Sequence, residues 1–156
     1  MPKVTIELDN FGCTFKKMLI NSNDQIIISI LSDDKDVNIR EEVAKHSTDI
    51  ITLSKLARDK EFCVRIAVAN NLNTTAAILD DLSKDKKWQV VSLVARNPKT
   101  SDATLTRLSQ NKNGLIRRAV AQNPKTPQAT LEKMKKLDRW SEVRLDAKRT
   151  LKERSA

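Results

Sequence analysis

Glycine and proline are scarce in this 156-residue chain, two and four residues respectively. That leaves too few tight turns for an all-β protein and points to helices joined by short connections. Aromatic residues make up only 3%, so the core must be largely aliphatic. The two cysteines, Cys13 and Cys63, cannot supply the dense cross-linking of small secreted domains, and reduced thiols in a cytoplasmic protein are the simpler expectation. The single histidine, His46, excludes a metal site built on His/Cys spacing and a Ser-His-Asp arrangement within one chain; a solvated or turn-bonding role is expected for it. Gly12 and Gly114 are isolated, so there is no glycine-rich phosphate loop. The longest apolar run, Ile26-Ile27-Ile28-Ser29-Ile30-Leu31, is far short of the roughly 20 residues that a membrane span needs. The amino terminus lacks a basic region followed by an apolar one, so no membrane association is expected.

What is present is enough for a core. With 39% apolar and 31% charged residues the chain falls in the globular class, and a compact chain of this size buries roughly 68–70% of its unfolded surface. Its main feature is a repeat. Asn97-Pro98-Lys99-Thr100 returns 26 residues later as Asn123-Pro124-Lys125-Thr126, and Leu105 and Leu108 return as Leu131 and Met134. Self-similarity at such a period signals stacked units, each burying its apolar face only against its neighbours.

Each unit reads as two helical segments. Ile39/Arg40, Val64/Arg65, Val90/Val91, Ile116/Arg117 and Val143/Arg144 open a short first segment, with Val43-Ala44, Val68-Ala69, Val94-Ala95 and Val120-Ala121 at its apolar centre. A longer second segment carries Leu53/Leu56, Ile78-Leu79/Leu82, Leu105/Leu108 and Leu131/Met134 as its buried stripe. Pro98 and Pro124 stop the first segment, Thr100 and Thr126 fall where an N-cap hydroxyl is needed, and Pro127 suits the first helical position. Asn71, Asn97 and Asn123 share a register in which their amides can bond turn backbone. Phe62, Trp88 and Trp140 share another, with Gly114 as the exception, which reads as packing between repeats more than as base stacking. The first full unit is one residue short and one extra residue lies near Leu137-Asp138, slips that loops are expected to absorb.

The chain is thus expected to be one all-α repeat domain over residues 1–156. An extended cap occupies 1–13, from the strand-like alternation of residues 4–9. A degenerate repeat follows over 14–36, with Phe15, Met18 and Leu19 at helical spacing and Asn23 or Asp24 capping a helix. Repeats span 37–62, 63–88, 89–114 and 115–140, and a capping helix ends the chain over 141–156.

The pattern (V/I)RxAVAxNPxTPxxxLxxL, carried best by residues 116–134, resembles the leucine-rich repeat variant family over roughly residues 37–150. The resemblance implies a right-handed α-solenoid in which α and 3₁₀ segments alternate. Some members of that family carry an amino-terminal cysteine cluster for an iron–sulfur centre. Such a cluster needs four thiolates where this chain has two, and no cofactor or metal is expected.

Charge gives the remaining clue. Residues 1–62 hold 9 Lys/Arg against 11 Asp/Glu, and residues 63–156 hold 20 against 9. The ladder Arg40, Arg65, Arg117, Arg144 is part of the repeat pattern, and its guanidinium groups are expected to bond neighbouring carbonyls or carboxylates. Asp33, Asp59 and Asp85, with Asn111 next, read as repeat structure too. Positive charge beyond the pattern is the candidate polyanion-binding set: Lys99, Arg118, Lys125, Lys133, Lys135, Lys136, Arg139, Lys148 and Arg149. A solvated face is the competing reading of the same residues. No catalytic residues are identified. The expected role is a non-enzymatic helical-repeat scaffold for a protein partner, with nucleic-acid binding through the basic carboxy-terminal half as the alternative.

Overall fold

The computed structural model describes residues 24–155. The extended cap, Cys13, Phe15, Met18, Leu19 and Ala156 lie outside the described residues. Among the described residues there are ten α-helices and no strand: α1 Gln25–Leu31, α2 Val37–His46, α3 Ile50–Leu56, α4 Phe62–Asn70, α5 Ala76–Leu82, α6 Trp88–Arg96, α7 Asp102–Leu108, α8 Gly114–Gln122, α9 Gln128–Leu137 and α10 Ser141–Arg154. The chain divides into two compact units, Met1–Asn73 and Thr74–Ala156.

Local chemistry sets most of the helix ends. Asp24, Asp36, Asp49, Thr75, Ser101 and Asn113 are N-caps whose side chains accept a backbone N–H of the first turn. Helices α6 and α8 stop one residue before Asn97 and Asn123, which sit in extended geometry (ψ 128° and 122°) because the following proline disfavours the helical region.

The interior follows the periodicity. Leu53, Leu79, Leu105 and Leu131 are fully buried, as are the Val-Ala pairs at 43–44, 68–69, 94–95 and 120–121. Each leucine side chain removed from water contributes about 1.5–3 kcal/mol, so a nearly uniform aliphatic spine supports each unit. In the first unit α2 packs on α4; in the second, α6 packs on α8 and α8 on α10, so like helices of successive repeats lie against one another.

Several expectations need correction. Both segments of each repeat are α-helical among the described residues, where the resemblance implied α/3₁₀ alternation; nine or ten residues complete two turns of i→i+4 bonding. The lengths are also reversed in the first three repeats, where the Val-Ala helices have 9–10 residues and α3, α5 and α7 only 7; in the last, α9 has 10 residues against 9 in α8, the order expected. Thr100 and Thr126 are not N-caps. Their hydroxyls turn inward and donate to Val94 O (2.5 Å) and Val120 O (2.6 Å), carbonyls that accept the cap N–H of Asn97 and Asn123 but whose i+4 residues, Pro98 and Pro124, have no N–H to give. The next residue is the cap, and Pro127 therefore sits just before α9. The short connector at 47–49 absorbs the missing residue, but the extra one near Leu137 lengthens α9.

Candidate functional site

The turn that follows each leucine helix has one construction. A side-chain oxygen of Asp34, Asp59, Asp85, Asn111 or Asp138 accepts the N–H two residues on, at 2.8–2.9 Å. Asp34, not Asp33, therefore holds the ladder position; Asp33 pairs instead with Lys55. Six residues beyond the Asx position lies the arginine ladder. Arg40 donates to the carbonyls of Asp34 and Lys35 (2.9 and 3.2 Å), and Arg117 to those of Asn111 and Lys112 (2.8 and 3.2 Å). Arg65 and Arg144 repeat the contact to Asp59 O and Asp138 O.

Two of these arginines also hold the Asx carboxylate of the next turn through paired bonds. Arg40 meets Asp59 at 2.7 and 3.1 Å, and Arg117 meets Asp138 at 2.7 and 3.0 Å. Burial alone would raise the two carboxyl pKa values, but the arginine hydrogen bond, a backbone N–H and the guanidinium charge outweigh it and hold both below the usual range. Where the ladder has Val91, the following Asx position has Asn111, which keeps the turn bond without leaving a carboxylate unpaired.

On the other edge, Asn123 donates to Ala95 O (2.7 Å) and Asn97 O (3.1 Å), and Asn71 to Ala44 O and Ser47 O (both 2.8 Å). These amides tie one repeat's turn to the next, as the register suggested. The arginine and asparagine ladders are therefore structural.

The clamp has an outward consequence. The residue after each Asx position stands at the turn apex with its side chain in solvent, Lys86, Lys112 and Arg139 in the second unit. Arg117 and Arg144 hold the backbone of the Lys112 and Arg139 turns, and the Lys86 turn, with Val91 at that register, is closed by the Asp85 Asx bond. Among the described residues the ammonium groups of Lys86 and Lys112 meet no carboxylate. Arg139 is anchored on Lys112 O at 2.7 Å. Beside this row stand two half-exposed indoles, Trp88 and Trp140 (44% and 40% exposed). Trp140 lies across Gly114, where a Cβ would overlap indole Cδ2, Cε3 and Cζ3; this explains the glycine in the aromatic column. The Arg117 guanidinium sits 5.7 Å from the same ring's centre.

The candidate cations named from sequence do not form one cluster. Lys99 and Lys125 project from the Asn-Pro-Lys-Thr turns, at the opposite end of α7 from Lys112, roughly 10 Å away along the helix. Lys133 and Lys136 are exposed on α9, while Lys135 pairs with Glu132 at 2.7 Å. Arg118 and Arg149 converge on the buried carboxylate of Asp146 at 2.8 and 3.8 Å, and Lys148 is exposed beside them. Sequence reasoning found Arg139 but missed Lys86 and Lys112, although their spacing of 26 residues, one position after Asp85 and Asn111, was there to be read.

His46 is half-exposed, with Nε2 3.1 Å from Glu42 Oε1. Asp80 is held down to about 2 by hydrogen bonds from Thr104, Lys84 and Arg107, so it joins α5 to α7. No group of His, Cys, Asp and Glu among the described residues could hold a metal ion, and none of their helices is long and apolar enough to cross a membrane. No protein-family model matches the chain, and no curated protein is significantly similar to it.

Proposed function

We propose that this chain is a non-enzymatic helical-repeat binding module, a right-handed α-solenoid of the leucine-rich repeat variant type, whose second unit binds a polyanion. The observation that carries the reading is the row of exposed cations Lys86, Lys112 and Arg139 at matching turn apexes, two of them on turns whose backbone a ladder arginine holds. The non-enzymatic part is supported by where the buried acids go: Asp59, Asp138 and Asp146 are each committed to an arginine. Of the two occupants considered from sequence, this row favours an anion over a neutral protein surface, because long-range attraction scales with charge in register.

Retention on heparin and on duplex DNA tests it. Each lost phosphate contact lowers the slope of log affinity against log salt by about 0.9 on duplex. The triple variant K86E/K112E/R139E should then lose nearly all retention, whereas K133E/K135E/K136E should keep most of it. Equal retention by wild type and the first variant would refute the reading.

A protein partner has its own supporting observation in the first unit. Ile26 and Ile51, on α1 and α3, are 71% and 79% exposed, with Ile30 and Ile50 exposed nearby in the chain. Replacing Ile26 and Ile51 by Gln should abolish capture of such a partner and leave heparin retention unchanged.

A further inference from the structure

The second unit has two shallow grooves that share a composition, an indole between cations. In one, Trp88 stands with Lys86 and Lys112. In the next, Trp140 stands with Arg118 and Arg139. The grooves measure roughly 550 and 480 Å³, ample for a planar base. Three lysines line the first groove with Asp85, Lys84 of these also pairing with Asp80; the second has Arg118 and Arg139 with Glu142, Arg118 being oriented by Asp146 through its Nε.

We infer that these grooves are consecutive base-stacking sites for single-stranded nucleic acid, with phosphates on the turn-apex cations and unpaired bases on Trp88 and Trp140. The inference deepens the polyanion reading and rests on it. Cations alone would take any phosphate backbone, duplex or single-stranded. A half-exposed indole beside those cations adds a flat apolar surface on which an unstacked base can lie, and such stacking tolerates any sequence. A duplex keeps its bases inside and cannot use it.

The chain has only two tryptophans, so its intrinsic fluorescence reports on the two grooves directly. The full chain is titrated at low salt with an oligothymidylate of about 12 nucleotides and, separately, with a duplex of the same length. Stacking quenches the indole emission with the single strand only, and the single strand binds on the order of tenfold more tightly than the duplex. Trp88→Ala should weaken single-strand binding by about tenfold and leave duplex binding unchanged. Trp140→Phe, which keeps a ring over Gly114, guards against a folding defect and should give a smaller loss; circular dichroism confirms that both variants are folded. Equal affinity for the two ligands without quenching overturns the stacking sites while leaving polyanion binding intact. No binding of either ligand overturns both, and quenching by an acidic aromatic peptide but not by the oligonucleotide assigns the grooves to a protein instead.

Discussion

Residues 1–73 carry 10 Lys/Arg against 11 Asp/Glu and residues 74–156 carry 19 against 9, yet both units bury the same kinds of residue at the same repeat positions. Leu53 and Leu105 are equally inaccessible, and Arg40–Asp59 and Arg117–Asp138 have nearly the same hydrogen-bond lengths. Packing constrains the inside of a repeat, because a lost methylene or an unpaired buried charge destabilises whichever unit contains it. The turn apexes face water and answer to no such constraint. Charge could therefore accumulate on one unit without cost to the fold, which makes the basic row a better guide to function than the buried ladders.

The largest effect is expected where the two kinds of Asx position differ. Asp138→Ala leaves the buried Arg117 without its carboxylate and should cost about 3–5 kcal/mol in urea denaturation, whereas Asn111→Ala, which loses only a turn bond, should cost about 1 kcal/mol. Equal losses would mean that the ion pair adds nothing. The lowered Asp59 and Asp138 pKa values also fix a pH dependence. Their contribution is complete above the unfolded carboxyl pKa of about 3.9 and disappears as pH falls through the lower folded values. Acid titration of the unfolding midpoint should show this loss flattened in a D59N/D138N variant.

Leu53→Ala and Leu105→Ala should each cost about 3 kcal/mol, since both sites are completely buried. A difference between them much above 1 kcal/mol would break the equivalence of the two interiors. Gly114→Ala should cost about 2 kcal/mol by forcing the Trp140 indole aside, and much less in a Trp140→Ala background. The smallest effect belongs to the surface. Lys112→Glu and its first-unit counterpart Lys60→Glu should each change stability by no more than about 0.5 kcal/mol, and only the former should weaken oligonucleotide binding.

Much of the fold was legible because helical periodicity and proline punctuation are local signals. The spacing of Leu79, Leu105 and Leu131 marked the spine, and Pro98 and Pro124 marked where α6 and α8 stop. The direction of Thr100 and Thr126 was misread, because an N-cap and an inward bond to the preceding helix place a hydroxyl only one residue apart. The candidate site was legible only in part. Nine extra cations were counted by type, but the count could not say that Lys99 and Lys125 emerge at the other end of α7 from Arg139, or that Lys135 and Arg118 already have acidic partners.

The residue order alone determined that the chain repeats, that its units are helical and which aliphatic side chains line the interior, since each follows from contacts within a few turns. Tertiary packing alone decided that Arg117 meets Asp138 across 21 residues, that Gly114 makes room for Trp140, and that Lys86, Lys112 and Arg139 stand beside two half-exposed indoles. Those relations depend on how one repeat is set against the next, a distance that no periodicity within a helix encodes.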